Sequence, residues 1–501
     1  MNPHFRGYEY QAQPNLQRAY ARLDHFETEA ASGHFLLAFD LVDANWLDQQ
    51  GSQNHIFDLD RPEERSKAWK KWEETPRHKA QNPFDTMPVF RLELEIRHGE
   101  DLDEFFNLPD PLKDRFRLLK RVAFLEKSWF EFAVFNDKQP DSSPADLYTS
   151  MFTPPTAVHI KGKMPSVQKG NALTGIFSLA HLPKLPKKDF KDLLSDKEAD
   201  LLAVYDVGQG NANAILSDSR IPTLYYDLGA GVYRNQRTTP YPLFFCFSAK
   251  PPIVLSHWDA DHWAGAYACV VGDKYPALEQ TWVAPDQTVG PVHVAFAYDV
   301  LINGGKFFIY SAPVGDVGIA QLLDDRQIKF ILGKGPDRND TGIVLAVEEI
   351  NQRPHRSWLL TGDCDYLYFV NELLPESPVG IVVPHHGADL DPNTLVPTPP
   401  TGAIYKRLIY SFGPDNRHGG TRVRHPTDQG IAIHNNKHNN VWNHNRWNNS
   451  KPGEWVPGGD VLATCEHQKG GIRGGVLIGW DSPPTLLSTP CSGMCQTPTQ
   501  A

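Results

Sequence analysis

Apolar and charged positions alternate without error in Phe90-Arg91-Leu92-Glu93-Leu94-Glu95-Ile96-Arg97, a period of two that predicts a half-buried strand. The run from Trp129 to Phe135 predicts another. Between and before them the pattern is helical. Asp60-Arg61-Pro62 opens a helix carrying Trp69 and Trp72, with proline near the first turn, where its missing N–H is tolerated. Asp110-Pro111 caps a second helix whose Leu112, Phe116, Leu119 and Ala123 share one face. Residues 1–195 therefore read as an α+β domain with Pro-rich loops. Its last stretch, 183–198, holds Pro183, Lys184, Pro186, Lys187 and Lys188 and reads as a linker and short helix with a solvated charged face.

From Leu201 the chain becomes strand after strand: Leu201 to Asp206, Ala212 to Leu216, Thr223 to Asp227 and Pro252 to Ser256, punctuated by Gly208, Gly210, Gly229 and Gly231. Ile328 to Leu332, Gly342 to Val347, Ser357 to Leu360 and Gly380 to Val383 continue the series. Val461 to Thr464 and Gly475 to Trp480 close it. A helix is expected to begin within Asp261 to Ala266. The His- and Asn-rich segment from His434 to Asn449 reads as a mobile polar loop. Residues 196–490 are thus a second, α/β domain, and 491–501 a tail.

The length of 501 residues suits two domains, and 40% hydrophobic with 22% charged residues is the composition of a soluble globular chain. No run approaches the ~18 apolar residues of a spanning helix, and the start lacks a secretory pattern, so the expectation is a cytoplasmic protein without membrane contact. A net charge of −11 argues against a broadly basic surface for nucleic acid but leaves room for a local basic groove. Cys246, Cys269, Cys364 and Cys465 lie in or beside apolar runs and read as buried free thiols, and Cys491 and Cys495 as part of a loose tail.

Chemistry concentrates where three apolar runs stop. Pro252-Ile253-Val254-Leu255 runs into Ser256-His257-Trp258-Asp259-Ala260-Asp261-His262, with four candidate metal ligands in six residues. Trp358-Leu359-Leu360 runs into Thr361-Gly362-Asp363, and Ile381-Val382-Val383 into Pro384-His385-His386-Gly387. Imidazoles and carboxylates delivered by strand ends suit one or two divalent cations.

These motifs, with Asp206-Val207-Gly208-Gln209-Gly210-Asn211, Tyr226-Asp227-Leu228-Gly229, and Ser411 to Asn416 continuing to His425-Pro426, resemble the metallo-β-lactamase-fold hydrolases over about residues 198–485. The likeness is greatest to the metallo-β-lactamase-like domain of the ComEC competence protein, although nothing here matches that protein's transmembrane channel region. The resemblance implies an αβ/βα sandwich with two divalent ions, Zn or Mn, at one sheet edge. It implies a first ion on His257, Asp259 and Asp363, and a second on Asp261, His262, Asp363 and His385, with Asp363 bridging. Asp206, Asp227, Asn339 and Asn416 would support the ligands or the substrate from behind.

Asp261, itself a ligand, His386 and His425 are the catalytic candidates, with His386 as a substrate contact and His425 as proton donor to a leaving alkoxide. Two features depart from the commoner pattern. Asp259 stands where a histidine is usual, and no motif-three histidine is found before Asp363, since His293 sits among apolar residues. The first ion is then short of one protein ligand, which favours Mn²⁺ over firmly held Zn²⁺.

The implied activity is hydrolysis by a metal-bridging hydroxide, of phosphodiesters in DNA or RNA. The alternatives are a small ester, lactone, lactam or phosphocholine-type ester as substrate, or a degenerate site in a binding or scaffold protein. The first domain would select substrate, dock a protein partner or cover the second domain.

Overall fold

The computed structural model describes residues 1–6, 15–29, 34–76, 80–96, 118–351, 355–416, 424–435, 442–444, 460–465, 473–486 and 498–500. The chain is mixed α/β and forms two compact units. One comprises the described residues of Met1–Pro183 with Thr288–Lys306; the other comprises those of Lys184–Gln287, Phe307–His418 and Arg424–Ala501. Among the described residues no helix is long and apolar enough to cross a membrane.

The first unit is built on a closed barrel of β1 (Arg18–Glu29), β2 (His34–Asp43), β3 (Val89–Ile96), β4 (Trp129–Phe135), β5 (Ser143–Tyr148) and β6 (Thr156–Lys163), in the order β1-β2-β3-β5-β6-β4. β1 closes the ring by pairing antiparallel with β4. Period-two patterning explains the interior, because Leu37, Phe39 and Leu41 of β2 point into the apolar core while Asp40 points away. Phe39 meets the rings of Phe130 and Phe132 edge-on at 5.8 and 5.1 Å. Closure leaves a short barrel without an open edge, which the α+β expectation did not specify. The helix expected from Asp60 runs Pro62–Glu74. Of the helix expected from Asp110, residues 110–117 lie outside the described residues; a helix spans Leu118–Lys127.

The second unit contains two mixed sheets. The first comprises β7 (Lys184–Leu185), β8 (Leu201–Val204), β9 (Ala212–Leu216), β10 (Pro222–Leu228), β11 (Ile253–Val254), β12 (Thr281–Pro285), β13 (Lys306–Tyr310), β21 (Gly475–Ile478) and β22 (Pro498–Gln500). Their order is β22-β21-β8-β9-β10-β11-β12-β13-β7. The second runs in chain order through β14 (Gly318–Gln321), β15 (Arg326–Leu332), β16 (Ile343–Glu349), β17 (Arg356–Leu360), β18 (Pro378–Val382), β19 (Arg407–Tyr410) and β20 (Val461–Ala463).

One apolar core joins the two sheets: Val204, Ile215, Leu224, Tyr226 and Val254 from the first pack with Ile343, Leu345, Val347, Trp358 and Leu360 from the second. The alternate residues of β16, Val344 and Ala346, bury on the opposite face with Tyr366, Phe369 and Ile431. Both faces of this strand are therefore covered, and its continuous apolar run follows.

The stretch read as a linker and short helix with a solvated charged face also contributes to that core. The helix Lys187–Leu194 buries Phe190 and Leu194, and the Phe190 ring lies 4.6 Å from Tyr310 and 4.7 Å from Phe330. Its lysines face water because the i, i+4 apolar pair points the other way. The polar segment from His434 also begins inside. His434 ends the helix Asp428–His434 and is buried, its Nδ1–H donating to the Gly430 carbonyl (2.6 Å) and its Nε2 accepting from the Tyr366 hydroxyl (3.1 Å). Residues 436–441 and 445–459 lie outside the described residues, as do Cys491 and Cys495. Cys269, Cys364 and Cys465 are buried free thiols, whereas Cys246 is disulfide-bonded, contrary to the expectation for it.

Burial pushes the His434 pKa from 6.5 down to about 4. A depressed histidine pKa contributes stability that is present above ~6.5 and is lost as pH falls through ~4, because only the unfolded chain takes up the proton in that window. At 1.36 kcal/mol per pH unit the loss is of order 3 kcal/mol. Urea unfolding at pH 7, 5.5 and 4 should show a flatter pH profile for His434→Gln than for wild type. Parallel profiles would show that His434 does not titrate on unfolding.

Candidate metal centre

Chain crossings bring the candidate side chains together at the carboxyl ends of parallel strands. β10 and β11 are parallel neighbours in the first sheet, and β17, β18 and β19 in the second. Asp227 lies in β10, His257 follows β11, Asp363 follows β17, and His385 and His386 follow β18. Such strand ends deliver side chains into a common cleft. Two hydrogen bonds join the sheet edges there: Ile343 N–H donates to the Ser256 carbonyl (2.7 Å), and the Tyr226 hydroxyl to the Ile343 carbonyl (2.6 Å).

The loop after β18 is strained. His385 and His386 have φ of 50° and 55°, the left-handed region that bulky side chains avoid, and Gly387 continues it at 84°. Backbone strain of about 1–3 kcal/mol per residue persists only where surrounding structure enforces it. Here it turns two consecutive imidazoles toward one carboxylate.

Asp363 is that carboxylate. Its Oδ2 lies 3.6 Å from His257 Nε2 and 3.6 Å from His385 Nε2. Its Oδ1 lies 3.1 Å from His262 Nε2 and 3.9 Å from His386 Nε2. His257 Nε2 is also 3.7 Å from Asp259 Oδ2, and His386 Nε2 is 3.4 Å from Asp261 Oδ2. Two donor sets can be drawn around Asp363: Asp261/His262/His386 on the Oδ1 side, whose donor atoms lie within 4.8 Å of one another, and His257 with Asp259 and His385 on the Oδ2 side, linked pairwise through His257 and Asp363.

Donors ~2.1 Å from a common tetrahedral centre stand ~3.4 Å apart, and the donor pairs above are 3.1–3.9 Å apart. The donor nitrogens also fit a metal chemically. Nε2 of His257, His262 and His386 and Oδ1 of Asp363 are buried without an aligned hydrogen-bond partner among the described residues.

The opposite ring nitrogens are engaged, which sets each tautomer. His262 Nδ1–H donates to Asp227 Oδ2 at 2.8 Å, and His386 Nδ1–H to the Ser411 carbonyl at 2.7 Å. His257 Nδ1–H donates to Ser256 Oγ (3.0 Å), whose own hydrogen goes to Asp227 Oδ2 (2.8 Å). Carboxylate and carbonyl oxygens only accept, so Nε2 is left as the donor atom to a cation. Ser256 escaped the sequence reading, having no ligand character of its own.

Electrostatics follow the geometry. Burial alone would raise the Asp363 pKa, but His262, His385, His257 and His386 hold it well below the usual carboxylate range. Burial likewise opposes ionisation of Asp261, yet His386 and His262 hold its pKa down. Burial would lower the His262 pKa, and Asp363 and Asp227 hold it well above 6.5.

The other expected residues fall into two groups. His425 is buried with its ring 5.1 Å from that of His385, and Asn416 Nδ2–H donates to the His425 carbonyl (2.6 Å). Asp206 instead pairs with Arg473 (2.8 and 2.6 Å) and accepts from Gly208 N–H, so it supports its own loop. Asn339 begins the turn Asn339–Thr341, and the side chain reaching the site from that turn is its neighbour, Arg338. Arg338 Nε and Nη2 donate to Asp259 Oδ1 at 3.1 and 2.6 Å. Sequence gives no signal for this pair, whose members are 79 residues apart.

The resemblance implies His385 as the partner of Asp261 and His262; in the structure His386 faces Asp261, and His385 approaches the same oxygen of Asp363 as His257. The two histidines together occupy both sides of Asp363.

His293 lies elsewhere, in the first unit. Its Nδ1 is 2.8 Å from Asp40 and its Nε2 3.1 Å from Asp24, which Arg91 also pairs. Asp24, Asp40 and His293 form another buried group with metal-ligand chemistry, and there two carboxylates are met by an imidazole and a guanidinium of the protein itself. No protein-family model matches the chain, and no curated protein matches it.

Proposed function

We propose that the second unit is a metal-dependent hydrolase of metallo-β-lactamase type, similar to the metallo-β-lactamase-like domain of ComEC, and that it cleaves phosphodiester bonds in DNA or RNA. The observation that carries this reading is the pair of donor sets sharing Asp363. The face-to-face packing of two mixed sheets, with all donors at one edge, supports an αβ/βα sandwich.

Two divalent ions, Zn or Mn, would supply Lewis acidity and an acidified water to this site. The chain's own residues do the rest. Asp363 and the two histidines after β18 hold the donor sets in register. Asp227, through His262 and Ser256, keeps two imidazoles in the ligand tautomer. His425, edge-on to His385, is the proton donor for a leaving alkoxide.

Purified full-length protein, loaded with Mn²⁺ or Zn²⁺, should cleave single- or double-stranded DNA, RNA or a chromogenic phosphodiester. Chelator should abolish the activity and metal should restore it. Intact substrates throughout, with a chromogenic ester or lactam cleaved instead, would move the substrate class. No turnover of any of them by metal-loaded protein would leave a binding or scaffold role.

A further inference from the structure

Resting on the reading of a metal centre, the inference concerns the order in which its two donor sets fill. The sets are chemically alike, each with two imidazoles, one aspartate and one oxygen of Asp363. What differs is how charge reaches each: Asp227 contacts His262 directly but His257 only through Ser256, and Arg338 contacts Asp259 of the other set.

Behind Asp261/His262/His386 stands Asp227, fully buried and 2.8 Å from His262 Nδ1. It also accepts from Ser256 N–H (2.6 Å), Ser256 Oγ–H (2.8 Å) and Asn211 Nδ2–H (3.3 Å). Four donors on one side chain require the ionised carboxylate. A carboxylate behind an imidazole strengthens it as a ligand.

Behind His257/Asp259/His385 stands Arg338, 6% exposed, with two nitrogens on Asp259 Oδ1. A guanidinium keeps its proton at every accessible pH. There it draws electron density from the carboxylate and repels an incoming cation, in surroundings where bulk salt screens little. Asp337 interacts electrostatically with His385, Asp259 and His257 as well. The effect of Arg338 is therefore best isolated by substitution.

We propose that the Asp261/His262/His386 set binds a divalent cation first and tightly, and that Arg338 keeps the His257/Asp259/His385 set weak, so that it fills only at higher free metal. A protein of this kind rests with one ion and becomes fully loaded in response to metal supply.

The test is chelator-competition or calorimetric titration of the metal-stripped full chain with Zn²⁺ and, separately, Mn²⁺. Two ions per chain are expected, with dissociation constants at least ~10-fold apart, the lower range for one outer partner. Arg338→Gln keeps a hydrogen-bond donor for Asp259 without the charge, and should tighten the weak constant by ~10-fold while leaving the tight one alone. Arg338→Lys, which keeps the charge, should not tighten it. Asp227→Asn should weaken the tight constant by ~10–100-fold.

Equal constants in wild type would overturn the proposal, and so would an unchanged weak constant in an Arg338→Gln protein with wild-type circular dichroism. Failure of either metal to bind at all would instead overturn the metal-centre reading beneath it.

Discussion

Replacing Asp363 with alanine is expected to remove bound metal and hydrolysis together. Its two oxygens are what the donor sets share: Oδ2 lies within 3.6 Å of His257 and His385, and Oδ1 within 3.9 Å of His262 and His386. Without them each set retains two imidazoles and one aspartate, and nothing holds the sets in register. Loss of an outer partner alone lowers metal affinity by ~10–100-fold, so loss of the shared ligand should exceed that range. Turnover should fall by at least the ~10²–10³-fold seen when one electrostatic group is removed from an active site.

Asp363→Asn separates charge from shape. It keeps the volume and one oxygen but not the anion that four imidazoles hold ionised, and should lose metal nearly as fully. Metal per chain by mass spectrometry, read beside circular dichroism, decides the matter. Wild-type metal content in a folded Asp363→Ala protein would remove Asp363 from the centre.

Gly229→Ala should be the most disruptive single methyl addition in the second unit. A Cβ on Gly229 would collide with the Asp261 carbonyl oxygen and lie 2.7 Å from the Asn211 carbonyl oxygen, both backbone atoms. The same three residues are tied together, since Gly229 N–H donates to the Asn211 carbonyl (2.8 Å) and Asn211 N–H to the Asp261 carbonyl (3.2 Å). Flexible side chains could swing aside, but this crossing can only shift the peptide that carries Asp261 and His262.

Overpacking of this kind destabilises by typically ~1–3 kcal/mol and occasionally more; with backbone on two sides the upper end is expected. Metal affinity should fall as well, because two ligands move. Gly170→Ala is the control: it sits in the helix Val167–Ile176 with nothing within 4 Å of the added carbon, so it should stabilise by ~0.5–1 kcal/mol. If both variants unfold at the wild-type temperature, the crossing is looser than its geometry indicates.

Local pattern made strands in both units legible. Ala212–Leu216 and Trp129–Phe135 are strands at the boundaries their patterning predicts, because alternation and turn glycines act over a few residues. Helix Lys187–Leu194 is present as expected, but its buried side is not evident from its composition. Five charged residues dominate its composition, while two buried apolar residues, Phe190 and Leu194, determine where it packs. The barrel of the first unit escaped notice because β1 joins β4 across more than a hundred residues, and no local pattern records such closure.

By itself the sequence determined the chemical repertoire of the site: which imidazoles and carboxylates are available, and that each follows an apolar strand able to carry it to a sheet edge. Tertiary structure decided how they are used. His386 rather than His385 faces Asp261, from a turn in which both residues are left-handed. Asp206 is claimed by Arg473, and Asp259 by Arg338, from distant turns. A side chain's role depends on which partner reaches it first, and a folded chain chooses partners by burial and geometry across separations that sequence spacing does not encode.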